Sequence, residues 1–295
     1  MSKRVLVTGA NGFVGRYVID LLSRMGIDYI GIVRTNPTNE KSMVTCSFSD
    51  IDGLKRIIRN YCPDTVIHLA AIANPVHGDV LEIYDSNVLG TENLLIACRG
   101  VGISGLRFIM ASTAGVCGNQ GNRLIDEECG YNPANHYAYS KMIAEILIRQ
   151  YADDIDACIV RPFNMIGAGQ KSNFLVPKLV NAFLNRQEVL EIGNIETERD
   201  YIDVAYAAQV LVKLAIADNL AYRCYNICTG EATKGTDIIK LLSELTGYMP
   251  VIKVNEAFVR RNEIWRMIGN PQRMNELMGQ EYDGSVKEIL QKMLA

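Results

Sequence analysis

Short apolar runs alternate with amphipathic stretches through the first half of the chain. Arg4–Thr8, Tyr29–Val33, Thr65–Leu69, Arg107–Ala111 and Ala157–Arg161 are brief and centred on apolar residues. Such runs, bounded by turn residues, predict buried strands. Between them Val14–Met25, Leu54–Tyr61, Tyr84–Cys98 and Tyr137–Tyr151 carry the spacing of helices. Strand–helix–strand alternation at this spacing predicts an α/β chain with a parallel, doubly wound sheet. After Arg161 the pattern loosens. Asn164–Gln170 is glycine-rich, Val176–Leu184 reads as a helix and Val189–Ile192 as a short strand. Cys224–Ile227 reads as a strand returning to the sheet. Asp237–Thr246 reads as a helix with Thr236 at its N-cap and Gly247 as its stop.

Composition narrows the class. The 295 residues carry a net charge of -3 without a basic block, which argues against nucleic acid and anionic membranes as partners. No apolar segment approaches a membrane span, and Val5–Val7 is too short for a signal-peptide core. The expectation is a cytoplasmic protein. The eight cysteines are scattered without zinc spacing, so no metal site is expected. Free, mostly buried thiols are the expectation for them.

Gly9, Asn11, Gly12, Phe13, Val14 and Gly15 follow the first strand and open the first helix. Gly9 suits a tight turn, Gly12 a close approach to a pyrophosphate, and Gly15 close packing of helix on strand. The helix N-terminus supplies amide donors for the anion. This is a dinucleotide-binding signature in its required strand–turn–helix context. Arg34 ends the second strand, where an acid would select NAD. An arginine there suits a 2′-phosphate, so NADP(H) is expected over NAD(H). Two roles are open to Asp50, with Ile51 beside it: contact with the adenine, or capping of the following helix.

Tyr137 and Lys141 stand four residues apart, on one helix face. A phenol beside an ammonium is suited to proton transfer, with Lys141 expected to lower the proton affinity of Tyr137. Tyr139 has Ile143 at the corresponding position and lacks that partner.

The glycine turn and the Tyr137–Lys141 pair together resemble the extended short-chain dehydrogenase/reductase superfamily, over nearly the whole chain. The resemblance implies a Rossmann doubly wound sheet with a smaller C-terminal substrate-binding domain. Residues 1–165, with 202–228 returning, would form the first unit, and 166–201 with 229–295 the second. His68–Ala71 resembles the segment after the fourth strand, so Leu69, Ala70 and Ala71 would line the cofactor. Asn87-Val-Leu-Gly90-Thr resembles the motif whose asparagine supports the active-site helix. Ser112–Gly118 resembles the active-site segment, with Thr113 at the catalytic hydroxyl and Cys117 where the family usually has tyrosine. Thr113 would bond the substrate oxygen, Tyr137 would exchange the proton, and Lys141 would also hold the cofactor ribose. Helices bearing Asn87 and Tyr137 would form a homodimer.

Arg161–Gln170, Glu191–Asn194, Arg199–Val204, Tyr225–Gly230 and the stretch from Arg261 to Asn270 resemble the nucleotide-sugar branch, nearest to GDP-4-keto-6-deoxy-D-mannose reductases and related 4-ketoreductases. Asn164, Lys178, Arg199, Arg261 and Glu263 would then meet a GDP-, dTDP- or UDP-sugar. The family's 4,6-dehydratases place Asp-Glu after the catalytic threonine, whereas Ala114-Gly115 stand here and transfer no proton. The implied reaction is NADPH-dependent reduction of a C4 keto group in deoxysugar precursor synthesis. A nucleotide-sugar 4-epimerase and a non-catalytic NADPH-binding regulator are the alternatives.

Overall fold

The computed structural model describes residues 3–35, 40–73, 78–255, 258 and 263–295. Its first half lays down β1 (Arg4–Thr8), α1 (Phe13–Arg24), β2 (Asp28–Val33), β3 (Met43–Thr45), α2 (Ile51–Tyr61) and β4 (Thr65–His68). There follow α3 (Val80–Tyr84), a π-helical turn (Asp85–Leu89), α4 (Gly90–Val101), β5 (Arg107–Ala111), α5 (His136–Arg149) and β6 (Asp156–Pro162). The later part adds β7 (Asn164–Ile166), α6 (Leu175–Leu184), β8 (Val189–Ile192), β9 (Glu198–Arg199), β10 (Tyr201–Asp203) and α7 (Val204–Ile216). It closes with β11 (Cys224–Ile227), β12 (Thr233–Lys234), α8 (Gly235–Thr246), β13 (Val251–Val254), β14 (Arg266–Met267), α9 (Gln272–Met278) and α10 (Val286–Leu294).

A seven-stranded sheet runs in the order β3-β2-β1-β4-β5-β6-β11, all pairs parallel. The chain reverses direction of winding between β1 and β4, and that switch point opens a crevice at the strands' carboxyl ends. Parallel strands covered on both faces read as continuous apolar runs, which is why β1, β4 and β5 showed no alternation. One face packs Val5, Val7 and Ile67 against Val18 and Leu22 of α1 and Leu211 of α7. The other packs Leu6, Val66 and Phe108 against Ile58 of α2, Leu94 of α4 and Ile148 of α5. A separate cluster joins α6, α8 and α10 through Leu179, Ile238 and Leu290.

Two expectations are corrected. Helix α8 begins at Gly235, and Asp237, not Thr236, closes its start by accepting from the Lys234 amide at 3.0 Å. Gly247 does end it, in the left-handed conformation. Secondly, Cys117 and Cys129 are joined as a disulfide, with Cα atoms 5.8 Å apart, within the normal bridging range. The remaining six cysteines are free, with Cys98, Cys158 and Cys228 buried. The bridged pair stand twelve positions apart in sequence, and the folding back of the intervening loop is not legible in the spacing. Denatured without reductant, the protein is expected to show six reactive thiols, rising to eight after reduction. Eight thiols before reduction would remove the bridge.

Candidate active site

The glycine turn is closed against its neighbours. Gly9 has φ +66°, and a Cβ there would lie 2.9 Å from the Ala70 amide nitrogen. A Cβ on Gly15 would fall 2.2 Å from the Gly9 carbonyl oxygen. No other residue type fits either position without displacing backbone. Gly12 caps α1 without a side-chain hydrogen bond, and the first helical turn holds no acid. The amides of Phe13 and Val14 thus open the helix facing outward, a fit for an anionic pyrophosphate. Asn11 ties the turn to the end of β2 through a 3.1 Å bond to the Thr35 carbonyl. Arg34 is exposed beside it, and Leu69, Ala70 and Ala71 are half-buried across the crevice. Asp50 caps α2, accepting from the Gly53 amide at 2.8 Å, and Ile51 is the first helical residue.

Strand β5 delivers Ala111, Ser112 and Thr113 to the crevice. Asn135 starts α5 by accepting from the Ala138 amide at 2.9 Å, which fixes where the helix begins. Tyr137, Lys141 and Glu145 then fall on one face at successive four-residue steps. The Thr113 hydroxyl stands close enough to the Tyr137 phenol to act on its proton affinity. Thr113 Oγ1 also accepts from the Gly115 amide at 3.1 Å. Tyr139, on the opposite face, is exposed.

The electrostatics differ from expectation. Burial pushes the Tyr137 phenol up to about 12, opposed by the nearby Thr113 hydroxyl. Burial pushes the Lys141 ammonium down to about 8, opposed by the nearby Glu145 carboxylate. Lys141 Nζ donates to the Ala111 carbonyl at 2.7 Å. With the ammonium so engaged, desolvation of the phenol outweighs any lowering by Lys141. The phenol therefore holds its proton throughout the neutral range.

Glu145 was not singled out by sequence reasoning, yet it anchors the site. It is fully buried and accepts from Arg161 Nε at 3.0 Å, Arg161 Nη2 at 2.7 Å, Tyr131 Oη at 2.8 Å and the Ser112 hydroxyl. Arg161 is also buried, and its Nη1 lies 3.4 Å from Cys129 Sγ and 2.9 Å from the Glu127 carbonyl. The signal was present as an acid four residues after Lys141 and an arginine inside an apolar strand. Asn87 sits fully buried in the π-helical turn. It grips Ile72 through the amide (2.8 Å) and carbonyl (3.1 Å), and donates to Ser140 Oγ at 3.0 Å.

The residues expected at the substrate lie on other elements. Asn164 is half-buried on β7, opposite Tyr201 of β10 in the parallel register. Arg199 faces Glu263 across 3.4 Å and donates to the Glu198 carbonyl at 2.9 Å. Its neighbour Asp200 is no ion-pair partner. Fully buried, it accepts from Thr229, Gly230 and Gly269 and pins those turns together. Lys178 donates to the Glu191 carbonyl at 2.7 Å and lies 4.5 Å over the Phe258 ring. Arg261 lies outside the described residues. Among the described residues no cluster of His, Cys, Asp or Glu could hold a metal.

Residues 5–228 match the model of the NAD dependent epimerase/dehydratase family. The chain belongs to this family. Its members are NAD(P)-dependent enzymes, and this chain is one of them. Over 292 residues it is 34% identical to the GDP-6-deoxy-D-talose 4-dehydrogenase of Aggregatibacter actinomycetemcomitans, covering 98% of this chain and 96% of that one. It is 29% identical to the GDP-6-deoxy-D-mannose reductase of Pseudomonas aeruginosa, covering 100% and 97%. The structure of RMD from Pseudomonas aeruginosa complexed with NADPH superposes with a TM-score of 0.86 at 28% identity, over 100% and 97% of the two chains. MoeE5 in complex with UDP-glucose and NAD superposes with a TM-score of 0.88 at 26% identity, over 99% and 97%.

The geometry predicts the pH behaviour of turnover. Lys141 must carry its charge, and Tyr137 stays protonated below about 12. The value of kcat/KM is expected to be flat below about 8 and to fall as pH rises through it. Replacing Glu145 by Gln removes the carboxylate that raises Lys141 and leaves Arg161 unpaired. The alkaline limb should then move to lower pH, with a stability loss of about 3–5 kcal/mol in thermal or urea unfolding. A limb unmoved by E145Q would contradict this.

Proposed function

We propose that this enzyme reduces the C4 keto group of a GDP-linked 4-keto-6-deoxyhexose with NADPH. The observation that carries the reading is the Tyr137 phenol kept protonated by burial, with the Thr113 hydroxyl beside it and Lys141 buried one turn along the same helix. A protonated phenol is what the developing alkoxide requires. Thr113 stabilises the same oxygen, and Tyr137 delivers its proton there. Gly9–Gly15, Leu69–Ala71 and Lys141 hold the dinucleotide, which supplies the hydride when bound. Hydride at carbon and proton at oxygen convert the carbonyl to a hydroxyl. Arg34 supports NADP(H) by offering a bidentate partner for a 2′-phosphate. The two GDP-sugar relatives support the base, and Ala114-Gly115 argue against dehydration. Asn164, Lys178, Arg199, Arg261 and Glu263 are the proposed contacts of the sugar diphosphate, on a unit formed by 166–201 and 229–295. A cytoplasmic location is proposed on the six free cysteines, against which the Cys117–Cys129 bridge stands.

The working unit is proposed to be a homodimer. Leu81, Leu89, Tyr139 and Ile146 are exposed on the adjacent surfaces of α3, the π-helical turn and α5. Helix α5 divides its apolar residues: Met142 packs inward, whereas Ile146 faces solvent. Light scattering at micromolar concentration should give a mass of about twice the 32.8 kDa chain. Leu89→Asp with Ile146→Asp should give the monomer. A monomeric parent would overturn the assembly.

The reaction is tested by following NADPH absorbance with GDP-, dTDP- and UDP-linked 4-keto-6-deoxyhexoses. The GDP-sugar should be consumed with one NADPH per sugar, and more slowly with NADH. Tyr137→Phe should lower kcat by about 10²–10⁴-fold. Sugar interconversion without net NADPH loss would favour a 4-epimerase. Turnover unchanged in Tyr137→Phe would remove the catalytic assignment.

A further inference from the structure

His68 is buried, with 1% of its surface exposed, and takes no part in the chemistry above. Its two ring nitrogens are nonetheless both engaged. Nδ1 lies 2.8 Å from Thr8 Oγ1, and Nε2 lies 3.0 Å from Thr91 Oγ1.

Proton counting fixes the tautomer. The Thr91 hydroxyl has one hydrogen, and it is given to the Asn87 carbonyl at 2.7 Å. Thr91 can therefore only accept from His68, so Nε2 carries the hydrogen. Burial, with the Lys141 charge adding to it, pushes the imidazole down to about 3, so the ring is neutral. Nδ1 must then accept, and the Thr8 hydroxyl donates to it. Thr8 Oγ1 in turn accepts from the Ala70 amide at 3.2 Å. Every donor in the chain meets one acceptor.

The two ends of this chain lead to different places. At one end, Thr8 closes β1 and holds Ala70, whose backbone packs on Gly9 of the cofactor turn. At the other, Thr91 holds the carbonyl of Asn87, whose side chain grips Ser140 between Tyr137 and Lys141. We propose that His68 is a positioning residue that joins the cofactor turn to the catalytic helix through its two nitrogens, each serving one side. The turnover half of this inference rests on the proposed reduction. The cofactor half does not.

The two halves separate in two substitutions. In H68N the amide oxygen stands near Nδ1 and keeps the Thr8 side. In H68Q the amide nitrogen stands near Nε2 and keeps the Thr91 side. Cofactor Kd is read by NADPH fluorescence and kcat by NADPH consumption. H68N should keep Kd within twofold and lose about tenfold in kcat, as the loss of one buried hydrogen bond allows. H68Q should weaken cofactor by about tenfold and keep kcat within about twofold at saturation. Thr91→Val should follow H68N, and Thr8→Val should follow H68Q, which covers either histidine variant failing to fold. Equal effects of H68N and H68Q on Kd would overturn the proposal, as would no effect from either. A parent that turns over no keto-sugar refutes the proposed reaction instead, and the Kd comparison still decides the role of His68.

Discussion

The buried charge of Glu145 is the constraint on which the site depends. A lone carboxylate cannot be carried into a protein interior without compensation, and here Arg161, Tyr131 and Ser112 supply it. Those partners come from β6, the loop before α5, and the segment after β5. Meeting them fixes the rotation and depth of α5. Lys141 and Tyr137 lie one and two turns earlier on the same face, so their placement follows from that docking. The Cys117–Cys129 bridge closes around the same arginine and holds the segment that follows Thr113.

From this follows a separation of proton affinities. Tyr137 is driven up and Lys141 down, both chiefly by burial. Two neighbouring groups pushed apart in this way take different roles. The phenol is a reservoir of one proton. The lysine is a charge whose retention Glu145 favours. That arrangement suits delivery of a proton to an alkoxide better than its removal from a hydroxyl at neutral pH.

Much of this was legible in the sequence, and the failures have physical causes. The parallel sheet was readable because strands buried on both faces become unbroken apolar runs, as in Val5–Val7 and Val66–Ile67. The glycine turn was readable because Gly9 and Gly15 have no sterically allowed substitute. The Tyr137–Lys141 pair was readable from helical spacing once the glycine turn stood at the other end of the same domain. The sign of their interaction was not, because desolvation is a property of the assembled fold. Glu145 was passed over because nothing within its own helix shows that Arg161 reaches it from another strand. Cys117 and Cys129 were unpaired in the reading because nothing local states how an intervening loop returns. Arg199 was readable as a charge beside Asp200, but an acid that it pairs with lies far along the chain at Glu263.

The central claim is that hydride goes to C4 of the sugar and the Tyr137 proton to its oxygen. The direct measurement uses NADPH deuterated at its hydride-donating position with the GDP-linked 4-keto-6-deoxyhexose. NMR of the product should show one deuterium at C4 for each NADPH oxidised, on a single face. Product without deuterium at C4 would contradict the account.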